Sequence, residues 1–155
     1  MARHLWSLLC ERTVLEAGTQ SLSIFNVYEE LNAQAVLPNN APIPDTPAIP
    51  LALTVVSVWE RSNLNVEEEK ESFRVRIIDP NGKELATTEQ VFSMVGPHTR
   101  TRAILRIPAL HVHLSGRYLF EVEGRRGGSK WHIEASLPLL VNISITQQPK
   151  PGKPS

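Results

Sequence analysis

The chain reads as an all-β protein, a two-layer antiparallel β-sandwich of about eight strands, and three observations support this reading. The first is the alternation across residues 131–145. There Trp131, Ile133, Ala135, Leu137, Leu139, Val141, Ile143 and Ile145 are apolar, and nearly every intervening residue is polar. Side chains on an extended backbone repeat every second residue, so this segment is a strand with one face in a core. A helix would scatter the same residues around its circumference. The second observation is punctuation: Asp79-Pro80-Asn81-Gly82, Gly96-Pro97, Ser115-Gly116 and the run Gly124-Arg125-Arg126-Gly127-Gly128 place turn residues between short apolar runs. The third is the lack of any amphipathic helical period between those turns. An immunoglobulin-like or Greek-key sandwich fits this pattern, with a C2-like or jelly-roll sandwich as the alternative.

Each element follows from its residues. Residues 3–10 alternate loosely and form the expected first strand, and Gly18 marks a turn. Residues 22–31 follow as strand two, where Leu22, Ile24, Phe25, Val27 and Tyr28 supply β-branched and aromatic bulk. Residues 34–50 contain Pro38, Pro42, Pro44, Pro47 and Pro50. Each proline lacks a ladder donor and fixes its own φ, so this segment is a polyproline-like crossover from one sheet to the other. Such a crossover also argues against an up-and-down barrel.

Residues 51–60 are apolar on both faces until Glu60, as in a central strand covered on both sides. Residues 63–71, with Glu67, Glu68 and Glu69 in a row, read as a solvated loop or a single helical turn. Phe73, Val75 and Ile77 then point one way and Arg74 and Arg76 the other. The turn at Asp79 leads into a strand from Lys83 to Met94, where the opposite parity of Leu85 and Phe92 predicts a bulge. In residues 99–107, Ala103, Leu105 and Ile107 point inward, with Arg100, Arg102 and Arg106 outward. Tyr118, Phe120 and Val122 alternate with Arg117, Glu121 and Glu123 in the next strand.

A chain of 155 residues is the size of one domain. The sandwich occupies residues 1–146, and the Pro/Lys-rich tail at 147–155 is expected to be disordered. Sixteen basic residues balance sixteen acidic ones, so no whole-molecule field draws nucleic acid or an anionic membrane. The single cysteine, Cys10, excludes an intrachain disulfide and points to a reducing cytoplasm. The apolar run at 5–10 is shorter than the core of a signal peptide and is closely followed by Glu11 and Arg12, so it reads as a strand. No stretch approaches the apolar length of a membrane span.

The segment Leu114-Ser115-Gly116-Arg117-Tyr118-Leu119-Phe120 resembles the tyrosine-corner region of immunoglobulin-like sandwiches, in which a tyrosine bonds back to the preceding loop. Phe120 stands where that family has a cysteine, so packing replaces the inter-sheet disulfide. A wider resemblance rests on Cys10-Glu11, Glu16, Gly18, Ser21-Leu22, Val27-Tyr28 and the G-x-Y-x-F strand. These residues look like a family of small bacterial β-sandwich domains of unknown function. That resemblance implies a bacterial or phage cytoplasmic domain whose motif residues are structural.

Few residues offer chemistry. His111-x-His113 has metal-ligand spacing, since i and i+2 share a strand face, with His98 and His132 as further ligands of a metal-dependent or small-molecule enzyme. Surface histidines in a loop are the simpler reading. The chain has only two aspartates, Asp45 and Asp79, which argues against a calcium site. No G-x-S-x-G elbow or P-loop is present, and no cofactor is implied. Arg74, Arg76, Arg100, Arg102 and Arg106 would form a basic patch if they shared one face; the alternative is pairing with Glu121, Glu123 and Glu134. No aromatic residue alternates with these arginines, which argues against single-stranded nucleic acid. Pro138 inside the long last strand predicts a sheet edge, and thus a homodimer formed through Leu137, Leu139, Leu140, Val141 and Ile143. The function expected from all this is non-catalytic: a module that binds or scaffolds a protein partner, with the four-histidine enzyme as the alternative.

Overall fold

A computed structural model describes residues 2–39, 41–43, 48–125 and 128–148. Among them are nine strands: β1 (Arg3–Leu15), β2 (Leu22–Val27), β3 (Glu30–Leu37), β4 (Ile49–Glu60), β5 (Glu68–Ile78), β6 (Glu84–Val95), β7 (Arg100–Val112), β8 (Gly116–Arg125) and β9 (His132–Gln147). They form a four-stranded sheet ordered β2-β1-β4-β7 and a five-stranded sheet ordered β3-β9-β8-β5-β6, packed as a sandwich. No helix of the described residues is long and apolar enough to cross a membrane.

The ninth strand comes from dividing the expected second one. Residues 22–27 pair with β1, whereas residues 30–37 pair in parallel with β9 in the other sheet. The chain changes sheets at Tyr28 and Glu29, with no proline or glycine to mark the break. The proline-rich segment then returns it to the first sheet, so the chain has already crossed twice by β4. The acidic stretch also departs from a solvated loop: β5 begins at Glu68, and Glu69 and Glu71 are buried. The expected bulge in the β5–β6 hairpin is a register shift between Ile77 and Ile78.

β9 is not the free edge expected of it. From Glu30↔Leu140 to Leu37↔Gln147 it is flanked by β3, and β8 covers its other side up to Val141. Leu140, Val141 and Ile143 therefore lie within a sheet, and Leu139 is fully buried. Pro138 lies just before this pairing, in the half of β9 that bonds only β8, where a missing N–H costs no ladder bond. Gln147 and Gln148 are ordered too: the Gln147 amide donates to the Ala41 carbonyl at 3.0 Å, and the Gln148 N–H to the Leu37 carbonyl at 2.9 Å. The rest of the expected tail, 149–155, lies outside the described residues.

The alternation of β9 also breaks once. Val122 pairs with Ala135 but Glu123 with Ile133, so Glu134 is an extra residue. One inserted residue reverses every side chain before it, which turns Trp131 and Ile133 outward. Ile133 is accordingly 59% exposed.

The core between the sheets is built around Trp59 of β4. His4, Phe73 and Phe92 surround its ring, with centroids 5.1, 6.3 and 5.5 Å away. Its indole N–H has no hydrogen-bond partner among the described residues, so packing holds the ring. Gly124 of β8 lies against it; a Cβ there would sit 2.9 Å from Trp59 Cη2.

A second apolar layer lies outside the first sheet. Leu9, Val55 and Leu105 face the core, so their neighbours Cys10, Thr54 and Val56 point outward, yet all three are buried. The β1–β2 hairpin covers this face. Beyond Cys10 the ladder with β4 ends, and β1 pairs only with β2. A straight ribbon would carry Leu15 about 30 Å from Trp6 at the usual strand rise. Instead Arg102, which lies across Val58 from Trp6, donates Nη1 to the Gln20 carbonyl in the hairpin turn at 2.7 Å. The ribbon thus folds back over its own sheet.

Two predictions follow from this packing. Gly124→Val should destabilise the protein by about 1–3 kcal/mol, because an added isopropyl group must displace the Trp59 ring; denaturant titration would measure it, and an unchanged midpoint would refute the contact. His4 gives a pH dependence. Burial holds its imidazole below the ordinary 6.5, against a smaller upward pull from its backbone bond to Trp6. The unfolded chain therefore binds this proton more readily, and stability falls as pH drops through that region. The melting temperature should fall between about pH 7 and pH 5, and His4→Gln should flatten that slope.

Candidate functional site

The four histidines do not converge. His98 precedes β7, and His111 and His113 lie at its far end, about 40 Å along the strand. His132 opens β9 opposite Gly124, near the end of β8 that is remote from His113. Among the described residues no three of His, Cys, Asp and Glu are grouped to hold a metal ion. The His113 backbone N–H is instead occupied structurally, since it points at the Tyr118 hydroxyl at 3.3 Å.

That hydroxyl is the hub of the corner. It accepts from the Leu114 N–H at 3.2 Å and donates to the Leu114 carbonyl at 3.0 Å, while the ring is 1% exposed. The tyrosine thus pins the β7–β8 loop back onto the core. Beside it, Gly116 has φ 138°, and a Cβ there would meet Pro80 at 2.9 Å.

The five arginines do not share one face. Arg74 and Arg76 lie on β5 in one sheet, and Arg100, Arg102 and Arg106 lie on β7 in the other. The β5 pair is neutralised in place: Arg74 binds Glu123, and Arg76 binds Glu84 at 2.8 Å and Glu121 at 3.1 Å. Trp131, turned outward by the bulge, lies between two guanidiniums, Arg74 at 4.5 Å and Arg125 at 4.2 Å from its centroid. Glu134 takes no part in these ion pairs, and burial raises its pKa.

The β7 arginines sit differently. Arg106 borders a shallow groove of about 270 Å³ with Arg12, Thr13 and Pro108, where the hairpin leaves the sheet. Arg100 and Arg102 line a larger pocket of about 420 Å³ with Trp6, Gln20, Val58 and His98. Arg100 and Arg3 both bind Glu60, and the bond from Arg3 is the chief cause that lowers the Glu60 pKa. A third cavity, of about 390 Å³, opens where β2 passes to β3; Leu8, Leu9, Val27, Tyr28, Leu137 and Pro138 give it apolar walls.

Sequence reasoning missed a buried polar clasp at the end of the sandwich where β4 leaves and β5 enters. Arg61 Nη1 donates to the Gly96 carbonyl at 2.6 Å, and Glu71 accepts from the Ala2 N–H at 2.7 Å. Glu69 accepts from the Ser62 hydroxyl at 2.7 Å and the Ser62 N–H at 3.1 Å. Burial pushes the Glu69 pKa up, but hydrogen bonds from Ser62 and Asn63 outweigh it and leave it below the ordinary value. The period-two pattern Glu69, Glu71, Phe73, Val75 carries the only trace of this inward orientation.

No known family model and no curated protein sequence matches this chain.

Tyr118→Phe removes the hub hydroxyl and leaves buried loop groups without their partner, which should cost about 1–3 kcal/mol. Equilibrium unfolding would detect the loss, and wild-type stability in the variant would show that the corner bonds contribute nothing net.

Proposed function

We propose that this protein is a non-catalytic module that binds a protein partner in the bacterial cytoplasm by accepting an extended segment along the β1–β2 hairpin. The observation behind this reading is the edge of β2. It is the one edge strand of the two sheets that holds neither a charged residue nor a proline: β3 has Glu30, β6 has Glu84 and Glu89, and β7 has three arginines and Pro108. Proteins block free edges with such residues because an open row of N–H and C=O groups recruits another strand. An unblocked edge is suited to strand addition, in which backbone bonds supply affinity and side-chain contacts supply selectivity. Phe25 and Val27, exposed at 39% and 56%, and Val14, at 50%, offer apolar contacts there. The single cysteine, unpaired and buried, agrees with a reducing compartment.

Affinity capture from the source cells tests this reading. The native chain should retain one protein in near-stoichiometric amount. The Phe25→Lys/Val27→Lys double variant should lose it, with a melting temperature within about 2 °C of wild type. Failure to retain any stoichiometric protein, or equal retention by the double variant, would overturn the proposal. So would stoichiometric transition metal in the purified protein.

A further inference from the structure

The pocket beneath the hairpin turn brings an exposed indole beside two guanidiniums. Its parts come from five places: Trp6 on β1, Val58 on β4, Arg100 and Arg102 on β7, and Gln20 and His98 on two loops that rim it. The floor is apolar, since Val58 is buried. The lining carries two guanidiniums and an imidazole but no carboxylate, and the acid that pairs with Arg100, Glu60, is shared with Arg3.

Trp6 differs from the other tryptophans. Trp59 is enclosed by His4, Phe73 and Phe92, and Trp131 lies between Arg74 and Arg125. No ring or guanidinium stacks on Trp6 among the described residues, and it is 42% exposed. The guanidiniums are also partly free. Arg102 uses Nη1 to hold Gln20, and Arg100 uses Nε to hold Glu60, so each keeps other N–H groups available. A planar fork of N–H donors suits phosphate oxygens, and an open indole face suits a base. At about 420 Å³ the pocket falls within the range of small-molecule sites and exceeds what a bare phosphate fills.

We infer that this pocket binds a free nucleoside monophosphate, with the base stacked on Trp6 and the phosphate held by Arg100 and Arg102. The site is independent of the free β2 edge. Gln20 joins the two only as a wall, so a ligand would brace the hairpin turn against β7.

Calorimetric titration of the full chain with AMP tests the inference, alongside adenosine, inorganic phosphate and a ten-nucleotide single strand as separate ligands. AMP should bind at sub-millimolar concentration, with adenosine and inorganic phosphate each weaker by about tenfold or more, because each lacks one half of the recognition. Trp6→Ala and Arg102→Lys should each weaken AMP by about tenfold. Arg106→Ala, which removes a positive charge from the same strand outside the pocket, should not. In the native chain the Trp6 indole resonance should shift on AMP addition while those of Trp59 and Trp131 stay, a readout that stands even if a variant fails to fold. No binding by AMP at about 5 mM, inorganic phosphate binding as well as AMP, equal loss in Arg106→Ala, or a single strand bound about tenfold tighter than AMP would each overturn the inference.

Discussion

A strand that is apolar on both faces must be covered on both, and β4 imposes that demand on the whole molecule. Leu53, Val55 and Trp59 face the second sheet, while Val56 and Val58 face the opposite way. A two-layer sandwich leaves the outer face of each sheet to water, where these valines would forfeit their burial energy of about 1.5–3 kcal/mol each. The chain resolves this locally. β1 continues past its ladder with β4, reverses with β2, and lies back over the sheet. Two residues in left-handed conformations, Gln20 at φ 56° and Asn26 at φ 51°, serve the turn and the end of the ribbon. The fold is therefore a sandwich with a partial third layer, which carries the open β2 edge and, through Gln20, one wall of the Trp6 pocket.

The second sheet is organised differently, because its outer face is ionic. Arg74, Arg76 and Arg125 alternate with Glu84, Glu89, Glu121 and Glu123, and the guanidiniums of Arg74 and Arg125 shield Trp131. Ion pairs at a solvated sheet face add little stability singly, but each of these arginines has an acidic partner. The bulge at Glu134 makes this arrangement possible, since it brings Trp131 to the arginine face.

Much of this architecture is legible from residue type alone, wherever a period of two coincides with a buried face. Phe73, Val75 and Ile77, Tyr118, Phe120 and Val122, and the stretch from Ala135 to Ile143 all point where their alternation places them. The Asp79 turn is equally plain: its carboxylate accepts from the Asn81 and Lys83 N–H groups, and Gly82 takes φ 82°. The sheet change at Tyr28 and Glu29 is not legible, because both flanking segments are extended and neither contains a breaking residue. The inserted residue at Glu134 is silent for a similar reason: it alters register without altering composition. The Trp6 pocket is hidden more deeply. Trp6 and Arg102 meet only across β4, so no spacing within one segment records their approach.

The parallel pairing of β3 with β9 has a consequence for how the molecule is made. Glu30 must find Leu140 and Ala35 must find Ile145, so the strand that leaves the first hairpin has no neighbour in its own sheet until nearly the whole domain has been synthesised. At a translation rate of about 5–20 residues per second, that wait lasts several seconds. Meanwhile β1, β2, β4 and β7 can already assemble, as can β5, β6 and β8, and the edge strand β3 is supplied early and locked last. Closing so long a loop is entropically slow. The part of the first sheet's inner face that β3 and β9 cover, against β4 and β1, is therefore the last to be closed as the chain emerges.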